Sequence, residues 1–270
     1  MRATRMPTRF KRTVSVRILL SPVLTLILLL AMRNHAVASD DSMPSITTSP
    51  LSLDQVVANL VRKNEERAQN LLHSEATRVY HVTYRGFPGD REAEMTVEAC
   101  YDSPSTKDFK IVSQSGSKII LERVFKRLLE SEKEAAQLEV RSRTQLNRDN
   151  YDFALIDYQS SANQYVLQVS PKSKSKYLYR GRVWVDGNDF AVTRIEAEPA
   201  QNPSFWTKKS EIHHEYAKIQ HSWLPVRNLS VSHIRLGGLA TLIIEYKDYH
   251  LTEAHEDSAS ASARDMGSLQ

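Results

Sequence analysis

One cysteine, Cys100, serves the whole chain of 270 residues. That excludes an intramolecular disulfide and any C-x-x-C motif. Glycine is sparse at 8 residues, and there is no glycine-rich phosphate loop, no dinucleotide fingerprint and no G-x-S-x-G elbow. H-E-x-x-H is missing too. No apolar run reaches the roughly 20 residues that a membrane-spanning helix needs. The sequence therefore carries no signature of catalysis, and no cofactor is implied.

The apolar run that does exist is short and lies near the start. Arg2, Arg5, Arg9, Lys11, Arg12 and Arg17 precede a 15-residue stretch from Ile18 to Met32, interrupted by Pro22. Ala36-Val37-Ala38 follows, a small-x-small site of the kind signal peptidase reads. The expectation is export with cleavage after Ala38, which leaves a periplasmic product that begins at Ser39. The leader holds seven basic residues and no acid, so the remainder carries 29 basic against 32 acidic residues. The basic balance of the whole chain thus belongs to the leader, and a nucleic-acid partner is not supported.

The expected organisation is a signal peptide (1–38), a flexible leader (39–51), one domain (52–250) and a polar, disordered tail (251–270). No fixed-period repeat or linker splits the domain. It opens on a capping-box pattern, Ser52 and Gln55, ahead of an apolar stripe of Leu53, Val56, Val57, Leu60, Ala68, Leu71 and Leu72. Three strand-like segments follow at 78–87, 93–101 and 109–113. A second helix is predicted over 117–140, with Ile120, Leu121, Val124, Leu128, Leu129, Ala135, Ala136 and Leu138 on its stripe. Seven more strands complete the pattern, at 153–158, 165–170, 177–186, 190–197, 211–220, 223–235 and 239–249. The sum is an α+β fold: a strongly curved antiparallel sheet of about ten strands, either an incomplete barrel or a deeply bent sheet, with two long helices on one face.

The S-L-x-x-V-V-x-x-L opening (52–60), the strand meander with its inserted helix, Y-L-Y-R-G-R-V-W-V-D (177–186) and F-A-V-T-R-I-E (190–196) together resemble the LolA/LolB-like superfamily of outer-membrane lipoprotein-sorting proteins. The resemblance covers about 52–250. It implies an open half-barrel whose concave apolar face is covered by the two long helices and accepts acyl chains, with inner- or outer-membrane protein partners and transient membrane contact. A receptor that is itself a lipoprotein would need a cysteine at the cleavage site, and none is present. The departure favours a freely diffusing, non-enzymatic carrier of lipid or lipoprotein acyl chains. The alternative is an envelope-stress sensor or regulatory module on the same fold, and a metal-dependent hydrolase stands third.

Inward strand positions would border the acyl cavity: Met95, Val97, Leu167, Val169, Val183, Val185, Leu242 and Ile244. Each of these residues taken singly suits an ordinary closed core, and the set as a whole can still border a cavity. Phe205 and Trp206 stand beside Lys208 and Lys209 in a proline-containing connection between strands. That combination suits a membrane interface or an acidic partner, or else an aromatic plug on the barrel end. His213 and His214 beside Glu211 and Glu215, with His221 and His233 downstream, are read as polar strand residues rather than metal ligands. Cys100 is expected to be a small buried hydrophobe.

Overall fold

A computed structural model describes residues 50–254, apart from 203 and 236. The expected signal peptide, most of the leader and residues 255–270 of the tail lie outside the described residues. Helix α1 (Leu53–Asn70) starts on the predicted capping box: Ser52 Oγ accepts from the Gln55 amide at 3.4 Å, and Gln55 Oε1 accepts from the Ser52 amide at 2.9 Å. Leu51, expected in the leader, packs on the core, and its amide donates to Tyr165 OH at 3.1 Å.

The predicted stripe continues to Leu72, but the helix ends at Asn70. Leu71 turns extended and opens strand β1 (Leu71–Arg85), which pairs with one neighbouring strand from Leu71 and with a second from His73. Ladder hydrogen bonds on two sides outweigh a helical periodicity that would offer one apolar stripe. Strands β2 (Arg91–Asp102) and β3 (Thr106–Gly116) complete a meander. The single helix expected over 117–140 is instead α2 (Lys118–Ile120), a π turn (Leu121–Phe125) and α3 (Lys126–Ala136), then a break. The π turn inserts one extra residue per turn, so burial steps from Ile120 to Phe125 and leaves Val124 exposed. Gln137 is extended and serves as N-cap of a separate helix, α4 (Leu138–Thr144), on which Leu138 is exposed.

Strands β4 (Tyr151–Gln159), β5 (Gln164–Pro171), β6 (Tyr179–Asp186), β7 (Val192–Pro199), β8 (Thr207–Ile219), β9 (Ser222–Ile234) and β10 (Leu239–Glu253) follow. All ten form one antiparallel sheet in the order β3-β2-β1-β10-β9-β8-β7-β6-β5-β4, open at β3 and β4. Register shifts at Glu75/Thr77, Thr96/Val97, Leu155/Asp157, Trp184/Val185 and Glu215/Tyr216 place bulges along most of the sheet, and each adds local bend and twist. β10 runs on to Glu253, so 251–253, expected to begin the tail, belong to the sheet. Glu253 is buried and accepts from Ser222 Oγ at 2.5 Å.

The helices do not lie as two long covers across the whole inner face. They form two separate apolar clusters at its two ends. Val56, Val57 and Leu60 of α1 pack on Tyr165, Leu167, Val169, Val183, Val185 and Ile195 of β5–β7. Ile120 and Phe125 pack on Tyr80, Val82, Met95, Val97 and Ile244 of β1, β2 and β10.

Candidate functional site

Between those clusters the inner face of β8 and β9 turns polar. His214 stands opposite Ile195 on one side and Asn228 on the other. Ser210 and Ser232 share a hydrogen bond of 2.6 Å, and Asn228 Nδ2 donates to Tyr246 OH at 2.8 Å. Asn228 Oδ1 is buried with no hydrogen-bond partner among the described residues. Burial, with the neighbouring His213 adding to it, pushes the His214 imidazole down to about 4, so it is neutral at ordinary pH. His213 alternates to the other face, which it shares with Glu215, so His214 does not join them.

The helix-bearing face also holds a cluster of charges at its β1–β3 end. Arg78 Nη1 lies 2.6 Å from Glu132 Oε2 on α3, Lys107 Nζ lies 2.9 Å from the same oxygen, and Tyr80 OH donates to Glu132 Oε1 at 3.0 Å. Burial alone would raise the Glu132 carboxyl. The Lys107 and Arg78 charges outweigh it and hold the group below the usual carboxylate range. The Arg78 guanidinium also stacks over Tyr246 and Phe109, at 5.0 and 5.5 Å from the ring centroids. Helix α3 is thereby fastened to the sheet through the Glu132 carboxylate, and Lys133 adds a second tie to Asp108 of β3 at 2.7 Å.

Beside this fastening, a cavity of about 480 Å³ opens under the π turn and α3 at the free β3 edge. Its apolar lining is Met95, Phe109, Ile111, Leu121, Phe125 and Leu129, with Glu122, Lys126 and Lys133 among the charged residues around it. The volume falls within the roughly 300–1,000 Å³ of small-molecule sites. Of the eight residues expected to border an acyl cavity, Met95 alone lines this one. Leu167, Val169, Val183 and Val185 are fully buried in the α1 cluster, while Val97, Leu242 and Ile244 sit in the cluster under the π turn. Ile111, Leu121, Phe125 and Leu129 carry the cavity instead. Ile111 had the strand pattern and Leu121 and Leu129 the helical stripe, whereas Phe125 lies off that stripe until the π turn brings it inward, and nothing in the sequence marks β3 as an edge.

One end of the sheet carries a rim of exposed apolar side chains. The β1–β2 and β9–β10 turns touch there: a Cβ on Gly86 would meet Gly238 Cα at 2.5 Å, and both glycines have positive φ. Tyr84 OH bonds Gly237 O at 3.0 Å across the same contact. Phe205, 76% exposed, and Trp206, 54% exposed, lie alongside with their rings at 5.6 Å in a T-shaped pair. Arg235 pins them: Nε donates to Phe205 O at 2.6 Å, its amide donates to Trp206 O at 2.8 Å, and its guanidinium stands 5.2 Å from the Phe205 ring centroid. Phe87 in the β1–β2 turn and Ile119 at the start of α2 are exposed at the same end. Lys208 is exposed beside them, whereas Lys209 is engaged by Glu198 at 2.9 Å and Glu211 at 2.8 Å.

Cys100 is not a core residue. It is half-buried on the opposite face of β2, with Sγ 3.6 Å from Asp102 Oδ2 and 3.9 Å from His73 Nδ1.

No family model and no curated protein matches the chain. Similar solved structures include a DUF1329 family protein from Desulfovibrio piger, at 12% identity and TM-score 0.36, covering 73% of this chain and 92% of that one. A domain described as a putative outer membrane lipoprotein-sorting protein from Vibrio parahaemolyticus matches at 11% identity and TM-score 0.37, with the same two coverages of 73% and 92%. A LolA superfamily protein from Nitrosomonas europaea matches at 11% identity and TM-score 0.34, covering 72% of this chain and 93% of that one. Two of these three carry the description to which the sequence resemblance leads. At such scores none supplies a residue-by-residue or functional argument for this chain.

Proposed function

We propose that this chain is an exported, non-enzymatic carrier of lipid or lipoprotein acyl chains, acting in the periplasm and delivering toward the outer membrane. The observation that carries the reading is the apolar cavity beneath the π turn and α3, open at a free sheet edge and ringed by charged side chains. An acyl chain entering there gains about 0.8 kcal/mol for each buried methylene. The segment from Lys118 to Ala136 is the movable cover, held to the sheet by Ile120 and Phe125, by Glu132 on Arg78 and Lys107, and by Lys133 on Asp108. Phe205, Trp206 and Phe87, with Lys208 and Arg235 beside them, present the apolar rim to an anionic bilayer during loading or release.

Native mass spectrometry of the protein isolated from its own periplasm tests this reading. A retained acyl-lipid mass that is lost on Leu129→Trp, which fills the cavity, supports the carrier. Lipid-free protein that also fails to bind a fluorescent fatty acid rejects it. If the lipid-free protein brings down a membrane-bound regulator, the regulatory module takes the carrier's place.

A further inference from the structure

The face of the sheet away from the helices carries a second cluster of chemistry-bearing side chains. His73 and Glu75 project from β1, Cys100 and Asp102 from β2, and the register sets His73 opposite Asp102 and Glu75 opposite Cys100. The period of two keeps all four on one face. β10 adds His250 opposite Glu75, and β3 adds Asp108 opposite Cys100. Glu75, Cys100, Asp108 and His250 line a groove of about 470 Å³, joined by Glu98 and Asp248 and by one lysine, Lys110, which pairs with Glu98 at 2.9 Å. The groove is thus acidic overall, even with Lys133 paired to Asp108 at 2.7 Å, and contains the Cys100 thiol and the His250 imidazole, with His73 next to it on β1.

We propose that this cluster is a divalent transition-metal site of the zinc class, with His73, Glu75 and Cys100 as protein ligands and solvent in the remaining position. One donor atom from each of the three lies within 4.8 Å of the others. A tetrahedral shell with bonds of about 2.0–2.3 Å places its donors about 3.3–3.8 Å apart, so closure asks each side chain to move by about 1 Å or less. Asp102 supplies the orienting contact: its Oδ1 lies 2.6 Å from His73 Nδ1, while His73 Nε2 faces Glu75 Oε1 at 3.5 Å. A carboxylate on the far nitrogen fixes the ring and the tautomer of a metal-bound histidine. A thiolate, an imidazole and a carboxylate together suit zinc or cobalt and fit calcium or magnesium poorly. When the metal–sulfur bond forms, the Cys100 thiol proton passes to solvent. Two further features place the site outside the carrier reading: it lies on the other face from the cavity, and it needs no lipid.

Cobalt(II) is the probe, titrated into the mature chain at neutral pH. The expected result is one equivalent bound, with tetrahedral d–d bands and a near-ultraviolet thiolate-to-cobalt band that zinc bleaches. Cys100→Ser should remove the thiolate band, His73→Ala should weaken binding at least tenfold, and Asp102→Asn should weaken it less. His213→Ala should change nothing. A variant-free measurement guards against misfolding: saturating zinc should slow alkylation of Cys100 at least tenfold, and a chelator should restore it. Octahedral cobalt with no thiolate band, or alkylation indifferent to zinc, overturns the proposal.

Discussion

Arg78 on β1 and Glu132 on α3 form an ion pair of 2.6 Å in which both side chains are largely buried, with Lys107 as a second cation on the same carboxylate. A carboxylate between two cations offsets its own desolvation, whereas removing it leaves two buried positive charges facing each other. Arg78 is already under-satisfied, since its Nε has no partner among the described residues. Glu132→Ala should therefore destabilise the domain by about 3–5 kcal/mol. Glu132→Gln keeps a hydrogen-bonding shape without the charge and should cost less. Urea titration measures both. Hydrogen exchange should quicken first in 118–136, where the cover loses its attachment. A loss below about 1 kcal/mol for the alanine variant would reject the fastening.

The same pair and His214 set the response to acid. His214 is held neutral by the fold, down to about 4. Its contribution is complete above the ordinary histidine value near 6.5 and drains away as pH falls from there to about 4. The loss over that window is bounded by about 3 kcal/mol. Glu132 is depressed below the carboxylate range, so its contribution persists above about 4.3 and is lost as pH falls through the folded value. His73 runs the other way, because its hydrogen bond to Asp102 raises it and favours the folded state at lower pH. Its exposed position keeps that effect small. Melting temperature followed from pH 7 to 4 should fall, and His214→Gln should flatten the upper part of the curve. An unchanged slope in the variant would show that His214 takes no part.

What the sequence made legible follows from local physics. Ser52 and Gln55 announced α1, and period-two alternation located all ten strands, because capping and burial act within a few residues. Leu71 and Leu72 fit the helical stripe, and only the ladders that β1 forms with β10 and, from His73, with β2 draw them into a strand. Val124 fits the predicted stripe yet is exposed, because a π turn shifts the helical phase and leaves no mark in composition. The inward set from Met95 to Ile244 was readable as inward. Its separation into two clusters depends on where α1 and α3 land, which no strand pattern encodes. His73 and Cys100 are 27 residues apart in the chain and meet only through the β1–β2 register.

The cavity gives a sharp contrast between two arginine substitutions. Leu167 is completely buried in the α1 cluster, so Leu167→Arg buries an unpaired charge and should prevent cooperative folding. Ile111 is half exposed on the edge strand and its side chain lines the cavity mouth. Ile111→Arg should leave the melting temperature within a few degrees of the parent and weaken binding of a fluorescent fatty acid several-fold. Thermal melts and a probe titration on the two proteins decide the matter. Equal collapse of both would mean that the edge is core rather than mouth.

The rim at Phe205 and Trp206 separates a membrane contact from a structural plug. Phe205 is 76% exposed and Trp206 54% exposed, so truncating them removes little packing, and Arg235 holds the loop through backbone oxygens that an alanine retains. Phe205→Ala with Trp206→Ala should therefore shift stability by less than about 1 kcal/mol, against about 3–5 kcal/mol for a buried aromatic. Apolar insertion and headgroup attraction would act together at this rim, the first independent of salt and the second screened by it. The double variant should bind anionic vesicles more weakly at every ionic strength. Lys208→Ala should weaken binding at low salt and converge with the parent at high salt. Vesicle co-sedimentation across a salt series reads both terms, and identical curves for parent and double variant would remove the membrane from the account of this loop.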